Sequence, residues 1–371
     1  MESKVAMSPF FSIIIPAYNA QEIYLRECIK SLSQQTFDDI EIIIVDDGSK
    51  KEYSNCYDII ASEDKRIKVI RQDNKGVSAA RNHGIESASA DWIMFVDSDD
   101  WVELNACEIL HETLMANPCE ILLFDHIKEY ADGANGRQNV GLKDQTLYST
   151  EDVKVREMLY RRAMGTPNQS NESRSTIYYC WDKVYNRDFL IRNNLQFPIG
   201  LPKSEDKVFI LNCFENLHSL FYTECAFYHY RINEKSVSNK YSENVDKERI
   251  ELSKYLQVIA VRMDEQLGSL MGDSSYHQIY KDYLRFEFGI LSDILFSKYY
   301  HKDYPYTKKQ RNKAVKELLS TEPFSTAIKR CQYNELGTEA KIKKFMLTHG
   351  LTTLFCEIRK IKKKAQGQVS Q

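Results

Sequence analysis

The fold is decided by the stretch WIMFVDSDD, residues 92–100, in which an apolar run is followed directly by three aspartates. The apolar run predicts a buried strand. Aspartates at the end of such a strand repel one another and lose hydration, which is costly unless a cation lies between them. Asp97 and Asp99, one residue apart, suit a hard divalent ion that also binds substrate phosphates. The alternative is a helix cap, in which Asp99 or Asp100 only opens the next helix.

Three apolar runs rich in β-branched residues precede this stretch, at residues 11–15, 40–45 and 67–70. Segments with apolar residues at helical spacing separate the runs. Strands that alternate with helices predict βαβ units, a mostly parallel sheet and an α/β fold. Pro16 is expected to end the first strand, because proline cannot donate a hydrogen bond inside a sheet.

Polar clusters follow three of the predicted strands, at residues 16–19, 46–49 and 97–100. In parallel α/β sheets, ligands bind outside the carboxyl ends of the strands. The clusters therefore predict one binding site at one edge of the sheet. Taken singly, residues 46–49 also fit a simple turn, and Arg81 also fits a solvated helix position.

The usual phosphate-binding glycine motifs are absent from the sequence. No GxGxxG follows the first strand, and no GxxxxGK[ST] occurs, which disfavours dinucleotide and P-loop sites. Carboxylates accept hydrogen bonds well from an imide such as N3–H of uracil. Tyr18 could stack on a base, and Arg81, which follows Gly76, could reach a base or a phosphate.

Composition describes an ordinary globular protein of 371 residues with 43% hydrophobic and 28% charged residues. The net charge of −3 favours no nucleic-acid partner. The nine cysteines form no CxxC pair, which is typical of reduced thiols in the cytoplasm. Residues 1–8 lack a signal-peptide core, and no apolar run is long enough to span a membrane. We expect a cytoplasmic protein.

Four segments together resemble the motifs of family 2 glycosyltransferases of the bacterial polysaccharide type. They are SIIIPAYN at residues 12–19, VDDGS at 45–49, NKGVSAARN at 74–82 and FVDSDD at 95–100. The resemblance covers residues 10–125 strongly and extends more loosely to about residue 240. It implies a Rossmann-like GT-A fold and inverting transfer from a nucleotide-sugar, usually a UDP-sugar, assisted by Mn²⁺ or Mg²⁺.

The resemblance also implies roles for residues at the predicted edge. Asp99 and Asp97 are expected to bind the metal. Neutral histidine is a good ligand for Mn²⁺, so His229 is a third candidate, and Arg231 is a candidate diphosphate contact. An ordinary strand that alternates aromatic and polar residues would look the same. The expected nucleotide-sugar-binding residues are Pro16, Ala17, Tyr18, Asn19, Asp46, Asp47, Lys75, Arg81, Asp97 and Ser98.

The segment LPKSED, residues 201–206, resembles the place where family members carry the catalytic base. Inverting transfer needs one carboxylate to accept the proton of the attacking hydroxyl. Asp206 is predicted to be that base, and Glu205 is predicted to position it or to contact acceptor hydroxyls. The alternative is that both residues only cap the helix that follows.

The acceptor side is expected in residues 180–185, where Trp181 could stack on a sugar and Lys183 could bind it. A core tryptophan is the alternative for Trp181. Residues 163–176 fit either a loop over the site or a surface connection. Residues 120–124 predict a strand, and residues 132–144, rich in glycine and asparagine, predict a loop.

The predicted domains are residues 1–135 for the nucleotide-sugar, 136–241 for the acceptor, and a helical accessory domain at 242–371. The last predicted helix, residues 340–364, carries apolar residues among many lysines. It fits either a membrane-surface helix or a helix that packs against another subunit, so the membrane face and a second copy are candidate partners.

The expected substrates are a UDP-sugar donor and a glycan or lipid-linked glycan acceptor. Two other functions stay open from the residues alone. A non-catalytic nucleotide-sugar-binding protein would keep the first motifs without needing Asp206. A sugar nucleotidyltransferase would usually carry a glycine-rich basic loop where this chain has residues 16–19.

Overall fold

The computed structural model describes residues 8–165, 177–201, 203–232, 241–331 and 338–365, without the side chains of 338–340 and 359–365. The chain divides into two compact units. The first comprises residues 1–163 and 167–234, and the second comprises residues 164–166 and 235–371.

The amino-terminal half of the first unit is a run of alternating strands and helices. The strands are β1 (Phe11–Ala17), β2 (Ile40–Asp47), β3 (Ile67–Gln72) and β4 (Trp92–Phe95), and the helices are α1 (Glu22–Ser33), α2 (Lys51–Glu63) and α3 (Val77–Ser87). The four strands lie in the order β3-β2-β1-β4 and are all parallel. The predicted βαβ arrangement is confirmed.

The rest of the first unit extends the same sheet. Its elements are β5 (Trp101–Val102), α4 (Ala106–Ala116), β6 (Ile121–Glu129), β7 (Asn135–Gln138), β8 (Thr146–Ser149), α5 (Val153–Met164), β9 (Lys183–Asn186), α6 (Arg187–Arg192), α7 (Glu205–Asn216) and β10 (Ser219–Arg231). The order continues β4-β9-β6-β10-β5, with β7 paired to β6 and β8 to β10. Only β6 and β10 pair in parallel in this half.

Burial explains the apolar runs of the sequence. All eight residues of β2 are buried, as expected for a parallel strand covered on both faces.

Helix α3 lies close to β1 because Gly84 has no side chain. A Cβ at Gly84 would lie 2.4 Å from Cγ2 of Ile14.

Strand β1 does not end at Pro16 as predicted, but continues through it to Ala17. The backbone of Ile14 faces β4 and accepts from the Val96 amide, and the nitrogen two residues on, at Pro16, faces the same side. Since β4 ends at Phe95, no strand there needs a donor, and proline is tolerated.

The predicted loop at residues 132–144 was also partly wrong, because it contains β7. A tight turn from Tyr130 to Gly133, with φ of +82° at the glycine, reverses the chain so that β7 pairs with the end of β6. The predicted strand at residues 120–124 is present as the beginning of β6.

The second unit is helical. It contains α8 (Val245–Met271), α9 (Gln278–Ile294) with a π-helical continuation (Leu295–Tyr299), α10 (Lys308–Ser320), α11 (Phe324–Arg330), α12 (Thr338–Thr348) and α13 (Thr352–Ala365). The buried face of α8 includes its apolar repeat, Leu252, Leu256, Ile259, Met263 and Leu267. In the part of the chain that the structure describes, no helix is long and apolar enough to cross a membrane.

The single helix predicted at residues 340–364 is two helices in the structure. Gly350 adopts a left-handed φ of +69°, and the Leu351 amide donates back to the Met346 carbonyl at 2.8 Å. This pattern closes the end of α12 and lets α13 start in a new direction. The predicted boundaries at residues 135 and 241 stay a prediction.

Candidate active site

The predicted polar clusters lie at the carboxyl ends of β1, β2 and β4. The first two clusters are joined directly. The Asn19 amide donates to Ser49 Oγ at 2.9 Å, and the Lys50 amide donates to Asn19 Oδ1 at 2.9 Å. Asn19 holds a left-handed φ of 48°, a conformation that asparagine tolerates better than most residues.

The turn after β1 presents an aromatic ring at the sheet edge. Tyr18 is 56% exposed, whereas Ala17 is buried and Pro16 is half-buried. An exposed ring next to a polar cluster has the geometry for stacking on a planar base. The nucleotide contacts of these residues stay predictions.

Asp46 and Asp47 are the last two residues of β2, and they form hydrogen bonds with different segments of the chain. Asp46 accepts the Ser49 amide at 2.9 Å and Ser54 Oγ at 2.6 Å, so it shapes the turn into α2. Asp47 is buried and supports the segment before α3.

Asp47 accepts three N–H groups. Its Oδ1 accepts Gln72 Nε2 at 2.7 Å and the Lys75 amide at 2.9 Å, and its Oδ2 accepts the Gly76 amide at 2.8 Å. A carboxylate offers about four acceptor positions, so about one remains at Oδ2. Lys75 itself is exposed, and its side chain stays a candidate for contact with the donor.

A second close approach explains the glycine of the VDDGS motif. Gly48 has φ of +72°, and a Cβ there would lie 2.6 Å from the backbone nitrogen of Asn74. The loop after β2 can therefore pack against the loop before α3 only with glycine at this position.

Arg81 joins three carboxylates that are far apart in the sequence. Its Nη2 lies 2.9 Å from Asp97 Oδ1, and its Nη1 lies 3.0 Å from Glu205 Oε1 and 2.6 Å from Asp206 Oδ1. Asp206 is 125 residues further along the chain. The end of β4 and the start of α7 therefore meet at one guanidinium, which we call the Arg81 clamp.

The Arg81 guanidinium is buried, with 4% of its side chain exposed. Burial acts to lower its pKa, but the neighbouring charges, of which Asp206 is the strongest, raise the pKa well above its ordinary value. The guanidinium carbon also lies 5.2 Å from the centre of the Phe197 ring. A buried cation of this kind is stable only with such partners.

Glu205 and Asp206 open α7, as the sequence predicted. Ser204 precedes them in a left-handed conformation, with φ of 66°. Asp206 Oδ2 also accepts the Cys180 amide at 3.3 Å, so both of its oxygens are oriented. Burial and the charge of Asp206 together raise the pKa of Glu205 to about 7.

The aspartates after β4 divide into different roles. Asp100 is buried and accepts Tyr228 OH at 2.6 Å and the Arg231 amide at 2.8 Å, so it supports the loop. Tyr228 OH in turn accepts the Asp97 amide at 3.0 Å. Tyr228 was not singled out from the sequence, because nothing there shows that β10 runs behind this loop.

Within the described part of the chain, no side chain forms a hydrogen bond or an ion pair with the carboxylate of Asp99, which is half-buried. Burial and the charge of Asp97 raise its pKa. Asp97 is already paired with Arg81, so the uncompensated charge lies on Asp99, and the two carboxylates together offer hard oxygen donors that fit a divalent cation. Within the described residues, no set of three His, Cys, Asp or Glu side chains is grouped to hold a metal ion. Ser98, which lies between Asp97 and Asp99 in the chain, is half-buried.

His229 lies near residues 97–100, but both of its ring nitrogens already contact carboxylates. Its Nδ1 lies 2.8 Å from Glu129 and its Nε2 lies 2.9 Å from Glu103. The ring also stacks on Trp101 at 5.0 Å between centroids. Because both nitrogens are engaged, we do not propose His229 as a metal ligand.

Arg231 lies behind residues 97–100, which we call the aspartate loop. Its Nε donates to the Asp99 carbonyl at 2.8 Å, and its Nη2 pairs with Glu27 at 2.6 Å. The guanidinium also lies over Trp101 at 4.5 Å. In this position it orders the backbone at Asp99, and a diphosphate contact stays a prediction.

The structure places the two predicted acceptor residues in the interior. Trp181 is buried and stacks on Tyr179, Tyr228 and Tyr230, with centroids 4.4 to 5.3 Å apart. The core alternative therefore fits Trp181, and we propose no acceptor contact for it.

Lys183 is fully buried as well. Its amine lies 2.5 Å from Asp182 Oδ1 and 2.6 Å from the Tyr179 carbonyl, and His126 lies 3.7 Å from Asp182 Oδ2. This buried ion pair holds the segment whose Cys180 amide reaches Asp206. We therefore propose a supporting position for Lys183 in place of the predicted acceptor contact.

Part of the sequence-based prediction lies outside the described residues. This applies to residues 166–176 of the predicted loop and to Pro202 of the segment LPKSED.

Comparison with known proteins defines the class of this site. Residues 12–190 match the family model described as glycosyl transferase family 2. The match confirms the resemblance to that family seen in the motifs of these residues.

Two relatives from Bacillus subtilis carry the word glycosyltransferase in their names. EpsH is 32% identical over 240 residues, which cover 64% of this chain and 65% of EpsH. EpsJ is 32% identical over 232 residues, which cover 62% of this chain and 64% of EpsJ. The chain thus spans slightly less than two thirds of the relatives it matches.

A solved structure is similar over nearly the whole chain. It is residues 1–349 of Staphylococcus aureus TarS in complex with UDP-GlcNAc, with a TM-score of 0.58, 18% identity, and coverage of 98% of this chain and 93% of that one. The likeness confirms the GT-A-like α/β fold with carboxy-terminal helices.

Proposed function

We propose that this protein transfers a sugar from a UDP-sugar to a hydroxyl of a glycan or lipid-linked glycan, with inversion at the anomeric carbon. The Arg81 clamp carries the proposal. It brings Asp97, at the end of a donor-side strand, and Asp206, the proposed base, to one buried cation. A protein that only binds nucleotide-sugars would need no oriented carboxylate there.

The proposed reaction is a direct displacement. The acceptor oxygen attacks the anomeric carbon, the bond from that carbon to the diphosphate oxygen breaks, and the nucleoside diphosphate leaves. Asp206 accepts the hydroxyl proton. Arg81 orients Asp206, while Glu205, with its raised pKa, can hold a proton and donate a hydrogen bond to the acceptor.

The donor is proposed to bind along the edge formed by the first three motifs. Tyr18 supplies the exposed ring, and the free acceptor position of Asp47 suits an imide N–H. The UDP-GlcNAc complex of TarS supports a uridine donor by analogy.

The residues present fit a divalent cation, with Asp99 and Asp97 as its protein ligands. Bound there, Mn²⁺ or Mg²⁺ would stabilise negative charge on the departing diphosphate. The protein's own part is to hold the two carboxylates at the edge, through Tyr228 and Arg231.

A donor screen tests this function. The full chain is incubated with UDP-, GDP- and ADP-sugars, Mn²⁺ and a panel of glycan acceptors, and released nucleoside diphosphate and glycan product are measured. Release of UDP with a product of inverted configuration is expected. Binding without turnover would contradict transfer, and pyrophosphate release from a sugar phosphate and UTP would show a nucleotidyltransferase. Asp188→Asn, whose side chain is exposed on α6, is the matched control for the Asp206→Asn variant.

A further inference from the structure

The carboxy-terminal helices expose several large apolar side chains. Five lie within 17 residues, each between 38% and 51% exposed: Ile342, Phe345, Leu351, Leu354 and Ile358. We call this set the C-terminal apolar face. Exposed apolar residues in such a group mark a surface that binds a partner.

The exposed residues of α13 follow helical spacing. Leu354 and Ile358 are four residues apart and therefore lie on one side of the helix. The other side is already used, since Phe355 and Cys356 are buried and Thr352 Oγ1 lies 2.7 Å from Tyr300 OH. The apolar face is therefore additional to the surface that packs α13 into its unit.

Helix α12 repeats this division. Ile342 and Phe345 are exposed, whereas Met346 and Leu347 are buried. The buried Lys344 amine donates to the Cys331 carbonyl and helps to dock this helix. Both helices of the pair are thus anchored and still expose apolar side chains.

Charge accompanies this face. Residues 338–365 contain eight lysines and arginines against two glutamates, in a chain of net charge −3. Five of the six residues from 359 to 364 are basic, and they continue the backbone of α13. Ile361, three residues after Ile358, keeps the apolar spacing in the sequence.

We propose that the C-terminal apolar face binds the interface of an anionic lipid bilayer. An amphipathic helix with basic flanks inserts apolar side chains at the headgroup level while its charges contact anionic lipids. A second copy of the chain fits less well, because a two-fold contact would bring two basic clusters together. A nucleic acid would match the charge but leave the apolar residues exposed.

This inference goes beyond the proposed function and does not depend on it. Binding to vesicles requires neither donor nor turnover, so a protein without transferase activity could still bind them. Conversely, an active enzyme could fail to bind, and the two results are measured separately.

Co-sedimentation of the full chain with vesicles tests the proposal. One set of vesicles is phosphatidylcholine, and the other is phosphatidylcholine with phosphatidylglycerol. Binding to the anionic set is expected, with loss at high salt because screening weakens the electrostatic part. Each basic residue near the surface strengthens binding about five-fold, so Lys360→Gln, Lys362→Gln and Lys363→Gln together should weaken it about a hundred-fold.

An apolar variant and its control complete the test. Leu354→Ser with Ile358→Ser should weaken binding at least ten-fold, since both lose buried apolar area in the interface. Val258→Ser with Val261→Ser, an equally exposed apolar pair on α8, should leave it unchanged. Circular dichroism checks that each variant is folded.

Three results would overturn the proposal. The first is equal binding to neutral and anionic vesicles at low salt. The second is a change from dimer to monomer in the Leu354/Ile358 variant with vesicle binding unaffected, which would show an interface between copies. The third is binding to RNA or DNA with no binding to anionic vesicles.

Discussion

Nη1 of Arg81 lies 2.6 Å from Oδ1 of Asp206, although 125 residues separate them in the chain. The same guanidinium holds Asp97 at 2.9 Å, so the donor-side loop and the proposed base share one buried cation. Each carboxylate contacts the guanidinium through one oxygen, and the fixed directions of the N–H groups orient these contacts as well as supplying charge. The position of the base is thus tied to the integrity of the donor site.

Removing the cation of the clamp should destabilise the protein. Arg81→Met leaves three carboxylates close together in a buried place, and such a loss costs about 3 kcal/mol or more in the free energy of unfolding. Chemical denaturation of Arg81→Met and of the unchanged protein at pH 8 measures this loss in the free energy of unfolding. In the double variant with Asp206→Asn the cost should be smaller than the sum of the single costs, because one repulsive charge is gone. Strictly additive costs would show that the two side chains do not interact.

Replacing the proposed base should separate binding from turnover. Asp206→Asn is nearly isosteric but cannot accept a proton at neutral pH, so UDP binding should persist while turnover falls by about 100-fold or more. Calorimetry and product formation measure the two effects. Asp188→Asn, which keeps the site intact, should turn over normally. Unchanged turnover in Asp206→Asn would assign the base to another group.

Glu205 should make stability depend on pH. Its pKa is raised from 4.5 to about 7, chiefly by burial and then by the charge of Asp206. Between these values the folded protein retains a proton that the unfolded chain releases, so this residue lowers stability as pH rises from about 4.5 to about 7. In Glu205→Gln that contribution disappears, and the variant should gain stability relative to the parent across this window. Parallel curves for the two proteins would refute the shift.

The nucleotide preference should rest on Asp47 and the loop that it holds. UDP is expected to bind more tightly than GDP or ADP, because one acceptor position of Asp47 remains for an imide N–H. Asp47→Asn should weaken UDP binding by about 10-fold or more, since the amide cannot accept all these hydrogen bonds. Calorimetry with the three diphosphates measures both effects. Asp58→Asn, on the exposed side of α2, serves as the control.

The aspartate loop should make nucleotide binding depend on a divalent ion. In Asp99→Asn, UDP affinity should no longer increase when Mn²⁺ is added, because the half-buried carboxylate charge that favours the cation is gone. Calorimetry with and without Mn²⁺ gives this readout independently of turnover. Full activity of the unchanged protein in excess chelator would remove the metal from the mechanism.

Local pattern alone predicted the amino-terminal half of the first unit well. Runs of β-branched residues and helical repeats identified β1 to β4 with their helices, because parallel strands buried on both faces must be apolar throughout. The motifs that follow these strands had to lie at the same edge of the sheet, because the carboxyl ends of parallel strands are on the same side. Errors arose where neighbours decide, as at Pro16, which is tolerated only because β4 stops short of it.

The second half of the first unit, from β5 to β10, was less predictable from the sequence. Trp181 and Lys183 carry the same local signal whether they face a ligand or the core, and only the packing of Tyr179, Tyr228 and Asp182 against them shows that they are buried. Likewise, nothing local to His229 shows that Glu103 and Glu129 occupy both of its nitrogens.

The sequence by itself determined the α/β class, the family resemblance and the aspartates that follow β2 and β4, because strand periodicity and short motifs are local properties of the chain. Only the tertiary structure decided that Arg81 joins Asp97, Glu205 and Asp206. That contact depends on how α7 returns to the end of β4, which long-range packing controls. Burial, which raises the pKa of Glu205, exists only once that packing has excluded water.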